Sequence, residues 1–243
     1  MKEYLVFRLY GPMASWGQAA VGGDRATGLQ PTRSAILGLL GAALGIKRDD
    51  EEMLLSLQHS VSIAVKQTTP TSLLRDYHTT QVPSHNKKYV HSTRKSELEE
   101  EKLHTILSSR DYRCDGVWVV AVYLNDKASV TLLELDAALK KPVYTLSLGR
   151  KSCPLAAPLA SRVVAVNRLK DALDTDFPSF TRSSKEDALW LGATSSVSYF
   201  WEGSKDEFES LAVLTTLPWD EPINRARWQF KQRPMHQLTL QES

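Results

Sequence analysis

The sequence predicts an α+β protein on three observations. An alternating apolar segment at residues 4–10 leads through a glycine-bearing loop into a helical stripe of Ile36, Leu37, Leu40 and Leu44. A nearly continuous apolar run at residues 117–124 has the composition of a central strand, and a second helical stripe follows it. Between these blocks, residues 68–115 are polar and rich in His, Lys, Arg and Tyr, a long insertion between two strands.

Leu5, Phe7 and Leu9 alternate against Tyr4, Arg8 and Tyr10, the period of a half-buried strand, with Val6 blurring it. Gly11-Pro12 ends that strand. Residues 13–30 hold Ser15-Trp16-Gly17 and Gly22-Gly23-Asp24-Arg25, a loop presenting backbone N–H groups, an indole and a guanidinium. Pro31-Thr32-Arg33-Ser34 reads as a helix start, because Thr32 or Ser34 can cap the first free N–H groups. The helix runs to Gly45, and Gly38, Gly41 and Gly45 lie on a face able to approach another backbone, at about 2–3 kcal/mol relative to alanine. One account of these glycines is tight packing on a sheet, with Gly45 closing the helix. The other joins the helix N-terminus, Arg33, Arg25 and the glycine loop into a site for a phosphate backbone.

Acids at residues 49–52 open a second short helix reaching about residue 58, and residues 61–65 alternate as a strand. Residues 97–106 read as a short helix leading back from the insertion. After the central strand, Asn125-Asp126 makes a turn and residues 129–140 form a helix stopped by Pro142. Strand, helix, strand, strand, helix is most of a ferredoxin-like split βαβ unit, with its last strand expected soon after Pro142. Residues 163–166 read as a strand and 169–173 as a helical turn. Strands at 196–201 and 211–216 suggest a small β-rich domain over 161–243, after a first domain at 1–160.

Composition bounds the chemistry. With 243 residues, 42% hydrophobic and 24% charged, the chain has the makeup of a soluble globular protein, and no run or leader pattern points to a membrane. Cys114 and Cys153 form neither a CxxC pair nor a dense framework, so free thiols in a reducing, cytoplasmic compartment are expected, without a metal site. Leu148-Gly149-Arg150-Lys151-Ser152 is not a phosphate-binding loop of a nucleotide triphosphatase: Tyr144 stands where that motif has its first glycine, and Arg-Lys replaces Gly-Lys. No cofactor is implied. A basic turn touching phosphates, or a plain surface turn, is the better reading.

Net charge is only +2, so a nucleic-acid function has to rest on local clustering. Residues 75–95 supply it: Arg75, Lys87, Lys88, Arg94 and Lys95 against Asp76, with His78, His85 and His91, and with Tyr77 and Tyr89 interleaved. Cations for phosphates and rings for unpaired bases fit single-stranded RNA better than a duplex groove, the plain alternative being a solvated loop. Arg225-Ala226-Arg227-Trp228, with Lys231 and Arg233, makes a second basic and aromatic cluster.

Several blocks lie in order across most of the chain: Gly11-Pro12-Met13-Ala14-Ser15-Trp16-Gly17, Pro31-Thr32-Arg33-Ser34 running into Leu37-Gly38-Leu39-Leu40-Gly41-Ala42, and Leu44-Gly45-Ile46 before Arg48-Asp49-Asp50. Leu74-Arg75-Asp76-Tyr77-His78-Thr79, Leu148-Gly149-Arg150, Ser152-Cys153-Pro154-Leu155 and Arg227-Trp228 continue them. In these blocks the sequence resembles the CasD subunits of the type I-E CRISPR complex Cascade. The resemblance implies a ferredoxin-like, RRM-like RAMP domain with a long thumb, here about residues 79–113, and a small C-terminal β domain. It further implies a non-catalytic subunit in antiviral defence that caps the complex and grips the 5′ handle of the CRISPR guide RNA. Its expected neighbours are a CasC-type backbone subunit and a CasA-type large subunit, with target DNA met through the complex. On that basis Arg25, Arg33, Arg150 and Lys151 are expected to hold handle phosphates, and Ser15, Trp16 and Tyr77 to touch sugars or bases. His78, Lys87, Lys88 and Arg227 complete the expected RNA-facing set. The rival reading is a metal-independent endoribonuclease, in which Tyr77, His78 and Lys87 or Lys88 supply base, acid and cation.

Overall fold

The computed structural model describes residues 1–18, 20, 22–84, 90–192, 196–224, 227 and 229–241. In chain order the first elements are β1 (Lys2–Tyr10), β2 (Met13–Ala14), β3 (Asp24–Arg25), α1 (Arg33–Leu44), α2 (Glu51–Ser60) and β4 (Val61–Gln67). The insertion contributes β5 (Ser72–Pro83), α3 (Arg94–Leu98) and β6 (Leu103–Cys114), and the chain returns through β7 (Val117–Leu124) and α4 (Leu132–Lys140). The last part holds β8 (Arg162–Val166), α5 (Leu169–Leu173), α6 (Ser184–Leu191), β9 (Ser196–Trp201), β10 (Leu214–Thr216), β11 (Trp219–Asn224), β12 (Gln229–Gln232) and β13 (Met235–Gln241).

A seven-stranded sheet in the order β10-β13-β9-β4-β7-β1-β8, antiparallel throughout, forms the body. One face packs Leu5, Phe7, Leu9, Ile63, Trp118 and Val120 against Ile36, Leu37 and Leu40 of α1 and Leu135 of α4. The other packs Tyr4, Val6, Val119, Ala121, Tyr123 and Trp201 against Leu169 and Leu173 of α5. Burial on both faces explains why β7 is continuously apolar and why Val6 breaks the alternation of β1. Arg8, on the side expected to be polar and open, is covered by Phe180, whose ring centre lies 3.7 Å from its guanidinium.

Local signals place α1 as expected. Thr32 accepts from the Ala35 N–H at 3.4 Å, and Gly45 adopts φ 76° while Ile46 donates to the Gly41 carbonyl at 2.9 Å, a Schellman ending that needs glycine. Gly41 packs on α2, where an added Cβ would meet Leu54 at 3.6 Å. Gly38 does not approach a backbone: it is exposed, and a Cβ there would meet nothing within 4 Å.

Two expectations change. Helix α3 ends at Leu98, and residues 103–106, read as its continuation, belong to β6, which pairs with β5 from Ser72↔Cys114 to Pro83↔Leu103. The strand expected soon after Pro142 begins only at Arg162, because Leu146, Leu148 and Cys153 first fold into the core beside the β1–β2 connection. Residues 161–243 supply β8 at one edge of the main sheet and β9, β13 and β10 at the other, while β11 and β12 form a two-stranded sheet.

Candidate nucleic-acid interface

Three segments meet at the base of the β5–β6 ribbon. The Ser15 N–H donates to the Leu148 carbonyl at 2.9 Å, and its hydroxyl donates to the Asp111 carbonyl at 3.3 Å. Gly149, at φ 88°, lets the turn at 149–152 lie on this loop: a Cβ would stand 1.9 Å from the Ser15 oxygen. Cys153 N–H donates to the Arg150 carbonyl at 2.9 Å and closes the turn. The Arg150 guanidinium then lies 5.0 Å from the centre of the Tyr112 ring and donates through Nη2 to the Arg25 carbonyl at 3.2 Å. Arg25 in turn donates to the Gly22 carbonyl at 2.8 Å. The glycine loop is held directly against β6, since a Cβ on Gly23 would sit 2.5 Å from the Leu107 oxygen.

Arg75 of β5 grips Asp111 of β6 through two bonds of 2.8 and 2.9 Å, and this hydrogen-bonded pair holds the Asp111 carboxyl below its ordinary pKa. Arg113 donates to the Gly28 carbonyl at 3.2 Å. Arg25, Arg75, Arg113, Arg150 and exposed Lys151 thus surround the ribbon base, against Asp24 and Asp111. A positive rim with one guanidinium seated on a tyrosine suits a polyanion carrying flat rings.

The structure joins Arg25 and Arg150, with exposed Lys151 next to Arg150 in the same turn, and removes other expected contacts from the surface. Trp16 is 1% exposed, its ring meeting Trp118 edge-on at 5.1 Å between centroids, so it is a core residue rather than a base contact. Ser15 is buried as well, its hydroxyl turned to Asp111. Arg33 is 6% exposed, and its guanidinium is committed to Glu202 at 2.6 Å, Glu221 at 2.5 Å, and the carbonyls of Gln58 and Val61 at 2.7 and 3.1 Å. A buried guanidinium needs such counter-charges, and none of these donors is left for a phosphate. The anion position at the α1 N-terminus is filled too: the Arg33 N–H donates to Asp220 at 2.8 Å, and Asp220 also pairs with Arg233.

Tyr77 is 65% exposed on β5, with its side chain on the same face as Arg75, whereas His78 points to the other face and lies 3.6 Å from Asp76. Lys87 and Lys88 lie outside the described residues. Arg227 is exposed in the turn between β11 and β12, a different element. The arm is less basic than its sequence count: Arg94 pairs with Glu97 at 2.6 Å, Lys95 with Glu99 at 3.9 Å and His91 with Glu100 at 3.4 Å. Arg110 and Arg113 are the residues that sequence reasoning passed over, while Arg75 entered only as part of the basic cluster; an extended reading of residues 103–114 would have placed Arg110 and Arg113 on the ribbon. Among the described residues no three His, Cys, Asp or Glu side chains gather as a metal site, and no helix is long and apolar enough to cross a membrane. Cys114 and Cys153 are free thiols, both pushed up in pKa by burial.

The mixed α/β body, with its largely antiparallel sheets, resembles chains of two solved structures. A chain of a solved "CRISPR RNA-guided surveillance complex" superposes with a TM-score of 0.65 at 23% identity, covering 98% of this chain and 89% of that one. A second solved structure, described as a Cas protein, gives 0.58 at 23% identity over 98% and 95%. The chain belongs to the family described as CRISPR-associated protein (Cas_Cas5), whose model matches residues 4–236. It is similar to the CRISPR system Cascade subunit CasD of Escherichia coli (strain K12), 42% identical over 167 residues that cover 65% of this chain and 70% of the relative.

Proposed function

We propose that the chain is the non-catalytic, RNA-binding cap of a type I-E Cascade complex, gripping the 5′ handle of the guide RNA at the ribbon base. The meeting of Arg25 and Arg150 at that base carries the reading, with Lys151 next in the Arg150 turn, Arg75 and Arg113 beside them and Tyr77 as a stacking surface. The strand order β4-β7-β1, completed by β8 from just beyond residue 160 and with α1 and α4 packed together, supports a ferredoxin-like RAMP domain built mainly on residues 1–160, with β5 to β6 as its thumb, while the rest of 161–243 extends the same sheet as a β-rich addition. In this reading a CasC-type backbone subunit and a CasA-type large subunit are its neighbours, target DNA is met through the complex, and the assembly works in the cytoplasm. Cleavage by a Tyr77 and His78 pair is disfavoured, because successive strand residues point to opposite faces and cannot flank one phosphate.

The test is a titration of end-labelled repeat RNA with purified protein in EDTA, read for both binding and cutting. Contacts to about four phosphates predict a log–log salt slope near −3 on a single strand, and no cut. A discrete cleavage product, or binding indifferent to salt, refutes the proposal.

A further inference from the structure

A groove of about 900 Å³ runs between α1 and residues 144–151, next to the turn that carries Arg150. Small and apolar residues of α1, including Ala35, Gly38 and Ala42, line it with Ile46, while Lys47, Arg48 and Lys151 face one acid, Asp49. Gly38 is the anomaly. It sits in the middle of a helix, where glycine is unfavourable, and no packing inside the chain demands it, since a Cβ there would meet nothing within 4 Å. Gly45, by contrast, has a structural reason in the helix ending, and a Cβ on Gly41 would make ordinary contact with Leu54 of α2, whereas one on Gly38 would meet nothing.

We infer that this groove seats a base of the RNA strand as it continues past the Arg150–Lys151 turn, with Gly38 leaving the space; the inference rests on the RNA-binding reading above. Three observations select RNA as the occupant. The charged lining is positive, three cations against one acid, as a phosphate chain requires. The groove shares Gly149 and Lys151 with the turn proposed to hold phosphates, so one strand reaches both. Its lining offers the half-exposed ring of Tyr144 and the hydroxyls of Thr145 and Ser147, one surface for stacking and two groups for base edges. The volume falls within the range of roughly 300–1,000 Å³ typical of clefts that enclose a small ligand.

The experiment compares the wild-type chain with Gly38→Leu, using repeat RNA labelled with fluorescein for affinity and, separately, with 2-aminopurine at successive positions. Gly38→Leu is expected to bind about tenfold more weakly, the scale of one lost base contact, and to abolish the 2-aminopurine response at one position. Its thermal midpoint should be no lower than that of the wild type, which separates blocked space from misfolding. Equal affinity and an equal 2-aminopurine response in both proteins would overturn the inference and leave the RNA-binding reading standing. Normal RNA binding by Gly38→Leu with loss of co-purification with neighbouring subunits would make the groove a protein interface, and also overturns it. Failure of the wild type itself to bind the RNA would remove both readings.

Discussion

Replacing Arg33 by alanine separates a structural arginine from an RNA contact. The guanidinium is enclosed by Glu202 at 2.6 Å and Glu221 at 2.5 Å, and it donates to two carbonyls at 2.7 and 3.1 Å. Its removal takes the nearest cation from both carboxylates, leaving Glu202 with the Ile63 N–H and with Arg233, 3.4 Å away and already engaged by Asp220, and Glu221 with the neutral Gln58 amide. Breaking a buried ion pair in this way costs about 3–5 kcal/mol. At about 2–4 °C per kcal/mol for a chain of this size, the thermal midpoint should fall by roughly 6–20 °C. The loss should depend on pH with a defined sign. Burial already pushes the Glu202 carboxyl above its usual pKa, and removing Arg33 takes away the nearest charge opposing that shift. A carboxyl raised in the folded state contributes stability below its unfolded pKa and loses it as pH rises through the folded value. The variant should therefore be most damaged at pH 8 and partly relieved near pH 5, where the orphaned group can protonate. Urea unfolding at both values, with RNA affinity measured under conditions where the variant is folded, checks this. A loss below about 1 kcal/mol that is flat with pH, together with weakened RNA binding, would refute the structural role and restore Arg33 as a contact.

Trp16→Ala should cost about 3–5 kcal/mol, the loss of a large aromatic from the core, visible in urea midpoints without any RNA present. Gly149→Ala should destabilise by about 1–3 kcal/mol, because φ 88° and the 1.9 Å approach to Ser15 both exclude a Cβ, and it should weaken RNA binding by displacing Arg150. The Arg75 bond to Asp111 lowers that carboxyl in the folded state, so its stabilising contribution is present above the ordinary aspartate pKa and disappears as pH falls through the folded value. In Arg75→Ala the acid limb of stability should flatten, and an unchanged profile between pH 3 and 5 would count against the pair.

The parts legible in the sequence are those where burial writes a period. Strand β7 and helices α1 and α4 were readable because one apolar pattern matched one environment along their length. The β5–β6 ribbon was not, because both its faces carry exposed residues such as Tyr77, Ile106 and Leu107, so no alternation marks it. Arg25, Arg150 and Lys151, which the proposed function keeps, are marked in the sequence by turn and glycine chemistry, which is local. Arg33 was misplaced because its carboxylate partners are remote, Glu202 standing 169 residues away, and nothing near Arg33 announces them. Trp16 was misplaced for the same reason, its edge-on partner Trp118 lying on the far side of the ribbon in sequence.

The two anion sites suggested by the sequence differ in where their counter-charge comes from. At the α1 N-terminus the chain supplies it: Asp220 takes the helix N–H, while Glu202 and Glu221 take the Arg33 guanidinium. Such a site is electrostatically closed, and an incoming phosphate would have to displace carboxylates already desolvated around it. At the ribbon base the positions of Arg25 and Arg150 are fixed by neutral partners, main-chain carbonyls and the Tyr112 ring. Hydrogen bonds to carbonyls and a seat on a ring orient a guanidinium without cancelling its charge. These arginines and Lys151 therefore keep their charge uncancelled by carboxylate partners, which is why the proposed function places the phosphate chain at the ribbon base and not at the helix N-terminus, where the same residue types are neutralised.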